Sequence, residues 1–405
     1  MKKIHIVQLI LFILTVIFTT ISGAEWRYGK QLFSSVSLDL VEIYGGLAYS
    51  IPFLVFLSVH EFGHYLTAMK NQVKVTLPFY IPFYLGFIFL PSFGTIGALI
   101  SIREKVKSRR TYFDIGVAGP LAGMVAALVI MAVGFSTLPP LDYLFEIHPE
   151  YISLGENYKD YRPGDGEVGQ VFKFGSNLLF QLFENYFPYD VSRYPYENEI
   201  IHYPLLMVSY LALIFTSINL LPIGQLDGGH VIYGLFGKKL HGIISRVCYV
   251  AFLFYSGLGF IKPGTFDLSF FGWSLAYIYF LYVCLFNFNK ERQARLLIAV
   301  AIFSSQFILS FIVPGIEGYA GWLLMALIVG RVIGIDHPGA IDENPLNLKR
   351  KIFGALAILT FVLCFTPKPI MVEEIRGENP DDDQSTSWSV REKQIEDSIE
   401  IRENI

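Results

Sequence analysis

The stretch LVFLSVHEFGHYLTAM, residues 54–69, is the most informative part of this chain. It contains the pattern H-E-x-x-H, formed by His60, Glu61 and His64. Because residues i and i+4 share one face of a helix, both imidazoles can bind one metal ion while Glu61 acts beside it as a base. Residues 49–59, which precede the pattern, are almost wholly apolar. Polar groups at the end of a membrane-length apolar helix are costly to keep, so this placement indicates a functional site.

The composition is that of a polytopic membrane protein. The 405 residues are 53% hydrophobic and 16% charged, and the mean hydropathy is +0.48. Soluble domains carry about 25% charged residues, so a large soluble core is excluded. The sequence has no basic cluster with interleaved aromatic residues, so nucleic acid is not an expected partner. Cys248, Cys284 and Cys364 all lie in apolar runs, and their spacing indicates neither a disulfide framework nor a cysteine–zinc site.

Hydropathy predicts an all-α fold with about nine transmembrane helices. Since a span needs about 20 apolar residues, the candidates are residues 4–22, 46–68, 113–136, 203–223, 244–262, 268–288, 296–313, 319–334 and 351–367. Residues 1–24 also have the features of a signal peptide, but a retained transmembrane helix is favoured. Residues 77–101 are apolar yet broken by prolines and glycines, which is typical of a re-entrant or membrane-surface element.

The Lys and Arg residues predict the orientation in a cell membrane. They cluster in four short loops, at 103–110, 238–246, 290–295 and 349–351, which the positive-inside rule makes cytoplasmic. Loop 138–202 and the tail 368–405 are acid-rich and then lie outside the cytoplasm. The loop is expected to hold a short helix near 177–186, and the tail from Glu373 onward is expected to be disordered or marginally helical. The H-E-x-x-H motif then lies near the cytoplasmic face.

A third metal ligand must come from another part of the chain. Catalytic zinc usually takes three protein ligands and leaves a fourth position for water. The best candidate is Asp227 in INLLPIGQLDGGH, residues 218–230, which ends the fourth span on the same side as the histidines. Zinc, two neutral imidazoles and two carboxylates sum to zero charge, which makes the acid acceptable in a membrane. Glu317 and Asp336 are rivals, but neither lies in a comparably broken apolar span.

The glycines and the proline around Asp227 are expected to break the helix there and to let the backbone bend toward the site. They are Pro222, Gly224, Gly228 and Gly229.

Together, the two motifs resemble the site-2 protease family of intramembrane zinc metalloproteases. HEFGH matches the family's H-E-x-x-H, and NLLPIGQLDGGH, residues 219–230, matches its N-x-x-P-x-x-x-L-D-G element. The resemblance implies one Zn²⁺ per chain bound by His60, His64 and Asp227, with Glu61 as the catalytic base. It also implies that Asn219 binds the substrate backbone or the oxyanion.

Two further stretches are similar to this family. FGTIGALI, residues 93–100, resembles its membrane-associated β-hairpin, which implies a substrate-binding role for Gly94 and Gly97 near the active site. FDIGVAGPLAG, residues 113–123, contains a G-x-x-x-G formed by Gly119 and Gly123, which permits close helix packing. For Asp114, a position at a helix start facing the helix dipole is a stronger explanation than a catalytic role.

The resemblance implies four regions. Residues 1–24 form the N-terminal transmembrane helix or signal anchor, and residues 45–235 form the catalytic core, which includes the outer loop 138–202. Residues 236–367 supply additional transmembrane helices without an assignable motif, and residues 368–405 form an acidic extracytoplasmic tail. His230, directly after the D-G-G, is either a neighbour that supports the metal ligands or a surface or turn residue, and it is not counted among the ligands.

The implied activity is peptide-bond hydrolysis within or near the transmembrane segment of a single-pass membrane protein, which releases a cytoplasmic fragment. The lipid bilayer and an upstream site-1-type protease are the other implied partners. Three alternatives remain from the residues alone: an inactive, chaperone-like relative, a zinc transporter or other zinc-dependent non-peptidase, and a different class of membrane metalloprotease. A transporter should show several ligand clusters along a path, whereas an inactive relative typically lacks part of H-E-x-x-H.

Overall fold

The computed structural model describes residues 3–35, 37–161, 168–264 and 266–376. The helices are α1 (Lys3–Tyr28), α2 (Leu40–Gly45), α3 (Leu47–Lys70), α4 (Arg109–Ser136), α5 (Asp142–Ile147), α6 (Leu178–Tyr186), α7 (Pro204–Asn219), α8 (Asp227–Gly257), α9 (Leu268–Cys284), α10 (Arg292–Ile312), α11 (Trp322–Ile328) and α12 (Leu348–Cys364). The strands are β1 (Phe79–Pro82), β2 (Thr95–Leu99), β3 (Val168–Phe174) and β4 (Ile370–Arg376), and short 3₁₀ turns join several elements.

Six helical segments in the described part of the chain are long and apolar enough to cross a membrane. They are Lys3–Tyr28, Leu40–Lys70, Arg109–Ser136, Asp227–Gly257, Leu268–Asn287 and Arg292–Ile312. The predicted spans at 203–223 and 319–334 correspond to shorter apolar helices, Pro204–Asn219 and Trp322–Ile333. The predicted span at 351–367 falls on α12, which has 17 residues. The fold is mostly helical as expected, but the count of nine spans is not confirmed.

The contacts divide the chain into two units. The first consists of residues 1–138, 175–190 and 201–369, and it contains the long helices and the β1–β2 pair. The second consists of residues 139–174, 191–200 and 370–405. In the second unit, β3 pairs with β4 in antiparallel register, with Phe174 opposite Ile370. This pair departs from the predicted all-α fold, and residues 373–376 are strand rather than disordered or marginally helical tail.

The second unit also has a small aromatic core. Leu144, Tyr151 and Tyr158 are buried together, and the Tyr151 hydroxyl donates to the Glu199 carboxylate. Burial raises the pKa of Glu199.

The expected short helix near 177–186 is present as α6 in the first unit, capped by the Asn177 side chain, which accepts from the Phe180 N–H. The acidic run Asp381–Asp383 of the predicted tail lies outside the described residues.

The β1–β2 sheet lies against α1 and α3. Phe79 pairs with Leu99 in antiparallel register. The predicted hairpin at 93–100 therefore contributes only the second strand, and the first strand comes from the earlier part of the proline-broken segment 77–101. The Trp26 indole in α1 donates to the Ser92 carbonyl over 2.8 Å, and the Tyr80 and Ser58 hydroxyls, on β1 and α3, are 2.6 Å apart. Helix α1 also meets α3 directly through the Thr19 and Ser50 hydroxyls. The N-terminal helix therefore packs against both the sheet and the helix that carries H-E-x-x-H.

Glycines let α3 and α4 approach closely. A Cβ placed on Gly63 of α3 would lie 2.7 Å from the Ala118 carbonyl oxygen of α4. A Cβ on Gly119 would lie 2.0 Å from His64 Nε2, and one on Gly123 would lie 3.1 Å from His60 Nδ1. Contacts under about 3 Å cannot be accommodated without movement. The G-x-x-x-G predicted to permit close packing thus faces the two histidines of H-E-x-x-H.

Helix α8 changes direction at Gly237, where φ is +80° and ψ is 175°. The break separates a short first part, which begins at Asp227, from a longer second part. Gly228 and Gly229 lie inside the first turn, so the prediction that they break a helix is wrong. A Cβ at these positions would lie 2.0 Å from the Leu220 carbonyl oxygen and 2.2 Å from that of Gly224. These two glycines instead let the preceding loop fold back onto the helix.

We expect Gly119→Ala to destabilise the protein by about 1–3 kcal/mol, the usual effect of overpacking a close contact. His64 cannot move aside easily because it is buried and its Nδ1 donates to the Ile115 carbonyl over 2.7 Å. The measurement is thermal unfolding of purified protein in detergent. Gly242→Ala, in α8, is the matched control because a Cβ there meets nothing within 4 Å. That substitution should leave stability unchanged or raise it slightly, and equal unfolding midpoints for the two variants would contradict the packing argument.

Candidate metal centre

His60, His64 and Asp227 converge in the structure as the sequence predicts. The two imidazole Nε2 atoms are 3.1 Å apart. Asp227 Oδ2 lies 3.4 Å from His60 Nε2 and 3.2 Å from His64 Nε2. Both histidines are buried, and the Asp227 side chain is 17% exposed. In the described membrane helices, this is the single group of three side chains whose ligand atoms lie close enough to share a metal ion.

Helix α4 orients the two histidines of α3. His64 Nδ1 donates to the Ile115 carbonyl over 2.7 Å, and since a carbonyl only accepts, Nε2 keeps its lone pair for a metal. His60 Nδ1 is buried and has no hydrogen-bond partner among the described residues. It faces Gly123, where the absence of a Cβ leaves room for the ring. The close approach of α3 and α4 thus fixes which ring nitrogens point toward Asp227.

The loop before Asp227 is held by residues from the second part of α8. Gly224 has φ of +58°, and its N–H donates to the Ser245 hydroxyl over 2.8 Å. The Ser245 hydroxyl in turn donates to the Ile335 carbonyl over 2.7 Å. His241 Nε2 donates to the Gly224 carbonyl over 3.2 Å. The loop position, and with it the start of α8 at Asp227, is therefore fixed by hydrogen bonds to residues far along the chain.

Glu61 and Asn219 lie beside the three ligands. Glu61 is buried on α3 next to His60, and it interacts with the backbone of Ile100 at the end of β2. The Asn219 side-chain amide, at the end of α7, is 3.4 Å from His60 Nε2. Both predicted residues thus lie beside the three candidate ligands.

The two glycines predicted to bind substrate have different surroundings. Gly94 has φ of +78°, and a Cβ there would lie 2.4 Å from the Thr19 backbone of α1. Gly97 has φ of +118° within β2, and a Cβ there would meet only Phe215, at 3.8 Å. Gly94 therefore serves the packing of the sheet against α1, whereas Gly97 leaves open space beside β2.

The rival third ligands are remote from the histidines. Glu317 pairs with Lys262, and Asp336 pairs with Arg246 over 3.2 Å on the surface. Neither belongs to the group of side chains that could hold a metal with His60 and His64. Asp114 forms two hydrogen bonds of 2.7 and 2.8 Å with the Arg350 guanidinium, which ties α4 to α12. Helix α4 begins at Arg109, so Asp114 lies in its second turn and not at the helix start predicted for it.

His230 is half-buried and does not belong to the ligand group. Its Nδ1 lies 2.9 Å from His337 Nε2, and its ring stacks on Tyr112 of α4. His337 Nδ1 accepts from the Gly339 N–H over 3.0 Å. Burial, together with the neighbouring His230 and His241, lowers the pKa of His337 to about 2, so its ring is neutral. No local sequence pattern indicates this pair, because 107 residues separate its members.

The three ligands fit a zinc ion. Zinc binds imidazole nitrogen and carboxylate oxygen at about 2.0–2.2 Å, so the ligand atoms of a tetrahedral site lie roughly 3.3–3.5 Å apart. The observed separations of 3.1, 3.2 and 3.4 Å are close to these values. Two nitrogen ligands and one carboxylate are also the set found in catalytic rather than structural sites, which have four protein ligands. Glu61 is adjacent and outside the ligand set, as a base must be.

Comparison with known proteins shows that the central part of the chain is similar to a peptidase family and to several zinc metalloproteases. The model of peptidase family M50 matches residues 48–258, just over half of the sequence. "Probable zinc metalloprotease EGY1, chloroplastic" of Oryza sativa subsp. japonica is 30% identical over 187 residues, which are 44% of this chain and 26% of that protein. "Probable zinc metalloprotease EGY2, chloroplastic" of Oryza sativa subsp. indica is 26% identical over 214 residues, 52% of this chain and 33% of that protein.

The EGY1 protein of Arabidopsis thaliana, with the same printed name, is 28% identical over 201 residues, 48% of this chain and 30% of that protein. The chain thus spans a third or less of the length of these relatives. No solved structure matches. The matched residues include both halves of the candidate metal centre, and the chain belongs to peptidase family M50, the site-2 protease family that its two motifs resemble.

Proposed function

We propose that this integral membrane protein is a zinc metalloendopeptidase that cleaves peptide bonds within or near the transmembrane segments of single-pass membrane proteins. The observation that carries the proposal is the convergence of His60, His64 and Asp227 beside Glu61, within a bundle of membrane helices. The family membership and the printed names of the relatives support zinc as the metal. An intact H-E-x-x-H argues against an inactive relative.

The depth of the site supports cleavage inside the membrane. Helix α3 begins at Leu47, so His60 lies about 20 Å along its axis at 1.5 Å per residue. The hydrocarbon core is about 30 Å thick, which puts the ligands well within it but nearer one face. The clusters of Lys and Arg in the loops make that face cytoplasmic. On this orientation, the released fragment enters the cytoplasm.

The chain's own residues supply binding and proton transfer. A zinc ion at this site supplies Lewis-acid chemistry, which acidifies water and polarises carbonyl groups. Glu61 accepts the proton of the attacking water and later delivers it to the leaving amine. The Asn219 amide is suited to hold the substrate backbone or the developing oxyanion. The Ile115 carbonyl keeps the His64 ring in the tautomer whose Nε2 would bind the metal.

Substrate access is proposed to use β2. A peptide bond inside a helix is shielded, so a transmembrane substrate must unwind before attack. Strand β2 ends at Leu99, the following residue Ile100 contacts Glu61 through its backbone, and Gly97 leaves open space beside the strand. Addition of the substrate as an extended strand along β2 would satisfy its backbone hydrogen bonds and bring it to the base. An upstream site-1-type protease that first trims the substrate is a proposed partner.

We expect Glu61→Gln to abolish cleavage, because removal of the general base costs roughly 10²–10⁴ in rate. The assay co-expresses the protein with a panel of tagged single-pass membrane proteins and detects a cytoplasmic fragment on a gel. Glu317→Gln is the control, because that carboxylate pairs with Lys262 away from the site. If wild type and Glu61→Gln yield equal amounts of the fragment, another enzyme makes the cut, and the assignment of Glu61 as the base is wrong.

We expect the purified wild type to hold one zinc ion per chain and Asp227→Asn to lose most of it, since an amide is a weaker and uncharged ligand. Metal content is measured by elemental mass spectrometry after dialysis. Asp336→Asn, on the surface, should retain zinc. Full zinc occupancy in Asp227→Asn would show that Asp227 is not a ligand. A zinc-loaded wild type without cleavage activity would favour a non-proteolytic zinc protein or a transporter, which transport assays would then distinguish.

A further inference from the structure

A groove that contains none of the candidate metal ligands opens between the end of α3 and the starts of α4 and α12. Its volume is about 500 Å³, and it is lined by polar residues at the ends of the helices and by apolar residues further along them. The charged lining residues are Lys70, Asp114, Lys349 and Arg350. All of the lining residues belong to the first unit of the chain. The groove lies at the helix ends where the Lys and Arg clusters predict the cytoplasmic face.

The polar rim of the groove has an excess of positive charge. It contains three basic residues and one acid, and the acid, Asp114, is already paired with Arg350. Lys70 and Lys349 are exposed and form no salt bridge with an acid of the described chain. The groove therefore carries a formal charge of +2 that no protein group described in the structure neutralises.

The start of α12 adds to this imbalance. Its first turn contains Lys349 and Arg350 and no acid. A helix N-terminus carries a partial positive charge, so cations in the first turn are unfavourable and an anion is stabilised there. The Asn347 side chain caps this turn by accepting from the Arg350 N–H over 3.1 Å. An anion beside Lys349 would offset the side-chain charges and the dipole together.

The walls of the groove are apolar. Phe113, Val117 and Leu121 of α4 line it, and their spacing of four residues places them in a row along one face of the helix. Phe113 and Val117 are buried in the core behind the groove, whereas Leu121 is partly exposed. The row extends about 12 Å along the axis, from the level of the lysines into the bundle. Phe353 of α12 faces the same groove and is 41% exposed. A charged rim above an apolar row matches a molecule with an anionic head and a hydrocarbon tail.

We propose that this groove binds an anionic phospholipid, with its phosphate at Lys70 and Lys349 and one acyl chain against Leu121 and Phe353. Basic pockets between helices at the cytoplasmic face are a recognised way to bind such headgroups. The groove adjoins the metal centre, because its lining residue Thr67 lies one turn after His64 on α3. A bound lipid would therefore brace the ends of α3, α4 and α12. The proposal does not depend on protease activity.

The test is native mass spectrometry of the full-length protein in detergent, titrated with phosphatidylglycerol or with phosphatidylcholine of the same acyl chains. Lys70→Gln/Lys349→Gln should weaken phosphatidylglycerol binding by roughly tenfold or more, since each basic residue contributes to headgroup affinity. Phosphatidylcholine binding should be weak and equal for all variants. The matched control is Lys239→Gln/Lys290→Gln, which removes the same charge from exposed positions outside the groove.

Thermal unfolding gives an independent readout on the same proteins. Phosphatidylglycerol should raise the unfolding midpoint of the wild type and of the control pair, but not that of the groove variant. Lys70→Arg/Lys349→Arg should restore the response, which would show that positive charge is what the site needs. Without lipid, the groove variant should unfold at the wild-type midpoint, which would show that it is folded. Equal phosphatidylglycerol binding by the groove and control variants would overturn the proposal. A matching midpoint shift with inorganic phosphate alone, dependent on the same two lysines, would assign the site to a free anion instead of a lipid.

Discussion

The structure depends on burying two histidines and two carboxylates among membrane helices. Such groups are costly in hydrocarbon unless each charge is neutralised and each polar atom is oriented. The approach of α3 to α4 meets this requirement, because Gly119 leaves room for His64 and the Ile115 carbonyl fixes its tautomer. Asp227 then brings negative charge to the two Nε2 atoms from a third helix. The glycines of α4 are therefore as necessary to this geometry as the ligands themselves.

Much of the site could be predicted because its signals are local. H-E-x-x-H shows its geometry through helical spacing alone, and Asp227 stands out as an acid in a broken apolar segment. The G-x-x-x-G pattern predicted close packing, although not which partner it would face. Pro222 correctly predicts a helix break before Asp227. Gly228 was also predicted to break the helix, and that prediction is wrong. Glycine next to a turn fits two explanations, a helix break and a close backbone contact, and only the three-dimensional path of residues 220–226 decides between them.

The remaining differences come from contacts between distant parts of the chain. Nothing in the sequence near His230 indicates that it meets His337. Likewise, β3 and β4 are about 200 residues apart and each is short, so neither gave a strand signal strong enough to oppose the all-α prediction. The predicted number of membrane spans differs from that in the structure for another reason. Helices such as α7, with 16 residues, are apolar but shorter than the hydrocarbon core requires, and they are buried by their neighbours.

These long-range contacts give a structural role to the helices that follow the family-matched region. Residues 236–367 contain no recognisable motif, yet Ile335 completes the hydrogen-bond chain through Ser245 to Gly224. Arg350 holds the start of α4 through Asp114. Both Ile335 and Arg350 lie beyond residue 258, where the family match ends. Since the Gly224 loop sets the start of α8 and hence the position of Asp227, the C-terminal helices act as part of the framework of the metal centre. A catalytic core cut at residue 235 would keep every candidate ligand but lose the hydrogen bonds that hold the third one.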